Sequence, residues 1–322
     1  MDKGLRTMND LERLEGSLPD RARLFRHAPY KFIKFYPAKA HQAHLVHQWN
    51  GALSSPDQAL LAGPASLAHI RISPFDSEAL GFPCASIPSF ALTGADQDEA
   101  NRLAKDAVSW SLDHGVRFLQ VRIDARDHGA IQALEEAVFR YGDAILRSVF
   151  TLEGIAEASK GMPQPASEIR LATPQDLPTV LGVAQRIFRH SRFHRDPSFP
   201  EGAASALHQS WVSNAVLGHR GFCFLSEVEG KLAGFFTAWL DEEINPFVER
   251  KLARLELSAV LPIRRAPRIW EDMALAVYHE CVKRGATLGE GRPQVYNYAI
   301  IQKQMSILPE FLRAEIALHR WS

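Results

Sequence analysis

The stretch ARLELSAVLPIRRAPRIWEDMALAVYHECVKRGATLGEGRPQVYNYAI, Ala253–Ile300, decides how this chain folds. Ala253–Pro262 reads as a strand, and Arg268–Arg284 predicts a helix that Gly285 ends. A short strand is expected near Pro293–Tyr296 and a helix from about Tyr298. AEIALHRW, Ala314–Trp321, predicts the final strand. Strands and helices in alternation point to a mixed α/β unit.

Upstream, EIRLATPQDLPTVLGVAQRIF gives a strand, a cap and a helix, with Thr173 the N-cap and Pro174 suited to the first turn. Ala204–Leu217 predicts a helix, and GFCFLSEVEGKLAGFFTAWLD a hairpin turning at Glu229-Gly230. In the first half, Asn9–Arg26 reads as a surface helix or frayed arm, KFIKFY (Lys31–Tyr36) as a strand, and AKAHQAHLVHQW as a helix. Ser66–Ser73, Cys84–Leu92, Phe118–Asp124 and Ala144–Glu153 are expected strands. Asp96–His114 is an expected helix, since Ala100, Leu103, Ala104, Ala107, Val108 and Leu112 recur at three and four; Ala130–Phe139 is another. GIAEASKGMPQPAS, residues 154–167, has the composition of a linker. The halves on either side echo each other. The expectation is a mixed, mostly antiparallel sheet flanked by helices in two tandem copies, residues 1–153 and 168–322. Two unrelated α/β domains are the alternative, because strand-helix alternation is common.

Composition sets the outer limits. The chain has 322 residues, 46% of them apolar and 23% charged, enough for two soluble domains with cores that need no disulfides. Lys plus Arg and Asp plus Glu both number 37, so no bulk basic charge is available for nucleic acid. The cysteines Cys84, Cys223 and Cys281 are too scattered for a disulfide framework or a CxxC metal site and read as buried thiols. No secretory signal or membrane-length apolar run stands out, which makes the cytoplasm the expected compartment. No Walker loop, nucleophile elbow or GxGxxG is present.

The second half resembles the GNAT superfamily of N-acetyltransferases. Val260 and Pro262 match the Val-x-Pro strand end, Arg265 the Arg/Gln that opens the phosphate loop, Arg284-Gly285 the helix end, and Asn297 the later asparagine. FRHSRFHRDPSF, followed by SWVSNAVLG, resembles the amino-sugar branch of the TDP-fucosamine type, and DSEALGF (Asp76–Phe82) is similar to it too. The likeness spans residues 168–322 and, with fewer motifs, 30–153, which would make the first domain a degenerate companion. It implies an acyl-CoA donor, with acetyl-CoA as the example, a small amine acceptor such as a nucleotide-linked amino sugar, and no metal. Two departures stand out. Arg268 and Trp270 occupy the two glycine positions of the loop whose backbone would meet pyrophosphate, and Gln304 occupies the position of a tyrosine acid.

The resemblance assigns roles by position. Val260 and Leu261 would offer backbone contacts to the donor arm, Arg265 and Arg268 would meet its pyrophosphate, and Asn297 would contact the arm. Arg264, Arg265 and Arg268 form either an anion site at a positive helix end or a charge run beside a stiff turn. Glu256 would be the base: alternation puts it with Ser258 and Val260 on one face and Leu255, Leu257 and Ala259 on the other. A solvent-facing or Arg254-paired edge residue is the alternative for it. His190, Arg192, His194 and Asp196 would meet the acceptor, form a solvated loop or, least in keeping with their spacing, hold a metal. His41, His44 and His47 are expected on a solvated or interdomain face, and Phe222, Phe224, Phe235, Phe236 and Trp239 in the core. Two other functions fit the departures: a catalytically degenerate binding or scaffolding protein, and a transferase fed by a carrier protein or charged tRNA. A homodimer or carrier-protein partner is compatible with either.

Overall fold

The computed structural model describes residues 8–158, 165, 167–189, 191–262, 268–306 and 309–322. The chain packs as two units. One holds the residues up to Asp143 together with Glu315–Ser322; the other is Ala144–Ala314.

The first unit opens with α1 (Met8–Leu24) and α2 (Ala38–Leu53). There follow β1 (Gln58–Ala62), β2 (Ser66–Ile72), α3 (Pro74–Leu80), β3 (Cys84–Leu92), α4 (Gln97–Asp113), β4 (Phe118–Asp124) and α5 (His128–Glu136). β1, β2 and β3 run antiparallel, and β3 pairs parallel with β4 through the α4 crossover. α4 buries Ala100, Leu103, Ala104 and Ala107 against the sheet, as their spacing requires. Lys31–Tyr36 is not a strand. It turns at every third residue, Ile33 N–H donating to Tyr30 and Tyr36 N–H to Ile33, so Tyr30, Ile33 and Tyr36 are all buried together. His41 and His44 are buried as well, which removes the solvated alternative of the solvated or interdomain face expected of them; their rings lie against Tyr36 and Tyr30.

The second unit takes in the end of β5 (Arg140–Thr151), then α6 (Leu152–Ala158), β6 (Glu168–Leu171), α7 (Leu177–Ile187), α8 (Arg192–Arg195) and α9 (Ala203–Val216). β7 (Phe222–Val228), β8 (Lys231–Leu240), β9 (Leu252–Val260), α10 (Ile269–Lys283), β10 (Leu288–Gly291) and α11 (Tyr298–Ser306) complete it before β11 (Phe311–Trp321). β6 to β9 are antiparallel, β9 and β10 are parallel, and β10 pairs antiparallel with β5. The hairpin turns at Glu229-Gly230, both at positive φ as a tight two-residue turn needs. Thr173 caps its helix through a reciprocal pair with Asp176. The strand expected near Pro293–Tyr296 lies earlier, at Leu288–Gly291, where two glycines and a glutamate hide it. Gly289 is required there: a Cβ would sit 2.8 Å from the Phe150 ring.

The last strands do not stay with their own halves. Ser148–Thr151 of β5 pairs with β10 in the second unit, and Glu315–Trp321 of β11 pairs with β4 in the first. The packing boundaries therefore fall at these strands rather than at 154–167, whose residues 159–164 and 166 lie outside the described ones. All three cysteines are free and buried. Among the described residues no helix is long and apolar enough to cross a membrane.

Candidate functional site

In the second unit β9 and β10 pair only from Leu252 with Leu288 to Leu255 with Gly291. β10 then stops at Arg292-Pro293 while β9 runs on to Val260, so one edge of β9 is left open. A bulge sits at the same place. The β8–β9 register slips between Phe236 and Ala238, and Thr237 Oγ1 both accepts from Leu257 N–H and donates to its carbonyl. The slip breaks the alternation expected of the strand. Leu255 packs with Val260 in the cluster beneath α10, whereas Leu257 and Ala259 pack with α7 and α9, so Leu255 and Leu257 do not share a face.

A cavity of about 440 Å³ opens at this parting. Glu256 lines it and, among the described residues, makes no ion pair. Arg254, the alternative partner, is buried and bound instead to Asp241 and Glu290. Glu290 is shared by three guanidiniums, those of Arg147, Arg254 and Arg292. Such a cluster fixes the end of β10 against β9 and β5.

His208, on α9, lines the cavity from the other side. Its Nδ1–H donates to the Ala204 carbonyl at 2.7 Å, which leaves Nε2 with the lone pair. Burial pushes its pKa down to about 4, so the ring is neutral near pH 7. Phe188 stacks on it, and Trp211 and Phe193 meet it edge-on.

The sequence-derived candidates divide. Glu256 and Asn297 line the cavity, and Asn297 also caps α11 by accepting from Ile300 N–H. Arg192 is buried over the Phe193 ring, His194 is bonded to Ser191 and lies behind His208, and Asp196 accepts from Ser198 N–H; none of these three lines the cavity. Their segment supplies Ser191 and Arg195 instead. His190, Arg264 and Arg265 lie outside the described residues. Arg268 is the N-cap of α10 and pairs with Asp272 at 3.4 Å, so that acid already answers its charge at the helix start. Among the described residues no three His, Cys, Asp or Glu side chains gather as a metal site needs.

A second cavity of about 310 Å³ continues along the open edge, lined by Val260, Ala259, Ile300 and Lys303. Leu261 donates its N–H to Ala233 on β8, so by alternation Val260 presents its own N–H to the open edge. Trp270 lines both cavities. Its indole N–H donates to Ser258 Oγ at 3.1 Å and its ring leans on Phe236. Lys303 and Glu271 form an ion pair beside it. Gln304 is buried at the back of the larger cavity, held by Ser148 Oγ–H. Tyr296 lines the cavity under the Arg195 guanidinium. His208, Arg195 and Arg292 as a cavity wall went unread in the sequence, whereas Trp270 stood out at its glycine position.

The matching turn in the first unit, between β3 and α4, is acidic. Asp96 caps the helix by accepting from Glu99 N–H, and Asp98 and Glu99 fill its first turn. That end of the helix is already occupied by negative charge and opposes an anionic ligand.

No known family profile matches the sequence, and no curated protein matches it. Solved structures do match the fold. A tandem GNAT protein from the clavulanic acid biosynthesis pathway aligns over 96% of this chain and 95% of its own at 14% identity, with a TM-score of 0.56. A GCN5-related N-acetyltransferase from Sphaerobacter thermophilus aligns over 95% and 93% at 13% identity, also with a TM-score of 0.56. Another, from Kribbella flavida, covers 84% and 92% at 12% identity with a TM-score of 0.50. At such identities the likeness is one of architecture, and the architecture is a tandem GNAT fold.

Proposed function

We propose that the second unit is an acyl-CoA-dependent N-acyltransferase acting on the amine of a small polar acceptor, and that the first unit is a companion without a donor site of its own. One observation carries the reading: Glu256, a carboxylate with no ion-pair partner among the described residues, faces a cavity at the point where β9 and β10 part. The neighbouring folds, named as N-acetyltransferases, support it. The donor arm would lie in the second cavity along Val260, whose N–H faces the open edge, with the Leu261 backbone and Asn297 beside it and Arg268 and Arg265 toward the phosphates. Acyl-coenzyme A would supply an acyl group activated as a thioester and leave as the free thiol. Glu256 takes the proton of the incoming ammonium or amine, directly or through water, and holds it at the carboxylate. Aligning amine and acyl carbon in one cleft supplies most of the remaining acceleration. Gln304 cannot give a proton to the departing thiolate, and Tyr296 is the ionisable hydroxyl in the same wall. A nucleotide-linked amino sugar is the acceptor we favour, with His194 and its neighbours bracing the wall.

Trp270 and the Lys303–Glu271 pair favour a second reading, a binding protein whose donor channel is narrowed, or a transferase fed by a carrier protein. Calorimetry with acetyl-CoA distinguishes them. Micromolar binding, roughly −8 kcal/mol, is expected. Acetyl transfer to an amine panel should then fall about 10²–10⁴-fold in Glu256→Gln while acetyl-CoA affinity stays within about twofold. Absence of acetyl-CoA binding would discard the coenzyme A reading.

A further inference from the structure

Two guanidiniums face the cavity that holds Glu256. Arg195, at the end of α8, is stacked over the Tyr296 ring at 3.9 Å, and among the described residues no carboxylate pairs with it. Stacking fixes the cation in place and leaves its charge unneutralised. Arg292 enters from the residue after β10. Its carboxylate contact is Glu290 at 3.3 Å, and that single carboxylate also serves Arg147 and Arg254. Both arginines thus present positive charge to one space. Left without a ligand they repel one another, and the wall between them, Gln294 and Tyr296, is polar rather than acidic. The planar fork of a guanidinium suits a carboxylate or a phosphate. Glu256, facing the same cavity, has the opposite sign, and neutral His208 offers an acceptor nitrogen in the same lining. The cavity is therefore bipolar: a cation-seeking side and an anion-seeking side within one small-molecule volume.

We propose that the acceptor carries an anionic group, carboxylate or phosphate, as well as its amine, and that Arg195 and Arg292 hold that group. This rests on reading the cavity as the acceptor site. The amine is directed to Glu256 and the anion to the arginines, so a neutral amine of the same size is a poor ligand. Loss of either arginine weakens binding through the anion alone.

The test is a titration by calorimetry without any donor, using matched pairs: glucosamine 6-phosphate against glucosamine, and L-phenylalanine against L-phenylalaninamide. The phosphate pair and the carboxylate pair separate the two anion sources. At least one anionic member should bind about tenfold or more tightly than its neutral partner. That preference should fall about tenfold in Arg195→Gln and in Arg292→Gln, and should weaken as salt is raised. Arg195→Lys, which keeps the charge but not the fork, should fall between. Equal affinity within both pairs, no measurable binding of either anionic member, or unchanged preference in both arginine variants would overturn the proposal. Because no acetyl-CoA is present, failure here is distinct from failure of the acyl-transfer reading, which acetyl-CoA binding decides.

Discussion

His208 shows what one side chain contributes to a wall it cannot be seen to join from sequence. Its imidazole is held neutral by burial, which outweighs its bond to Ala204, and its pKa sits at about 4 in the folded chain. An unfolded histidine protonates near pH 6.5, so acid favours the unfolded chain between those values. The native state keeps this advantage in full above about pH 7 and loses it progressively as pH falls from about 6.5 toward 4. Between pH 7 and pH 5 the loss at this site is about 2 kcal/mol. Urea unfolding at those two pH values should show a difference smaller by that amount in His208→Gln; an identical pH dependence would mean the ring is solvated. Glu256 was legible because a charge in an apolar strand asks for a reason. His208, Arg195 and Arg292 were not, since each sits in a locally ordinary context. Only the tertiary fold brings α8, α9 and the end of β10 to one cavity.

At the scale of elements the decisive object is the bulge at Glu256 and Leu257, not the strand. It turns β9 so that the carboxylate enters the cavity while Leu255 stays under α10. Thr237 stabilises it with two hydrogen bonds to one residue of the next strand. Thr237→Val removes both and leaves Leu257 N–H without its acceptor, which should cost about 1–3 kcal/mol in unfolding free energy. It should also lower acetyl transfer about tenfold or more by displacing Glu256, with Thr237→Ser restoring both. A variant as stable and as active as the parent would show that the strand bends without the threonine. The strand itself was readable from its composition; the bulge was not, because the residue that holds it lies on β8. β10 escaped for another reason. Its sequence LGEG has neither β-branched residues nor alternation, and it is a strand because its neighbours close around it on both sides.

At the scale of the molecule, the echo between halves announced two like units, and the structure contains them: antiparallel strands, one parallel pair with a helical crossover, then a last antiparallel strand. What no local pattern encodes is which strand each last strand pairs with. A fragment of residues 1–153 lacks Glu315–Trp321, and a fragment of residues 168–322 lacks Ser148–Thr151. Each alone should give poorly dispersed amide NMR spectra and no cooperative unfolding, and mixing them should restore both. A fragment that unfolds cooperatively by itself would contradict this. The same wiring orders events on the ribosome. The second unit is drawn from one continuous run of chain, Ala144–Ala314, whereas the first, although begun earlier, awaits Glu315–Trp321. At about 5–20 residues per second, β4 waits on the order of ten seconds or more with a bare edge. Of the two units, the one begun earlier is the one closed later, and until then its exposed strand edge is where misassociation would start.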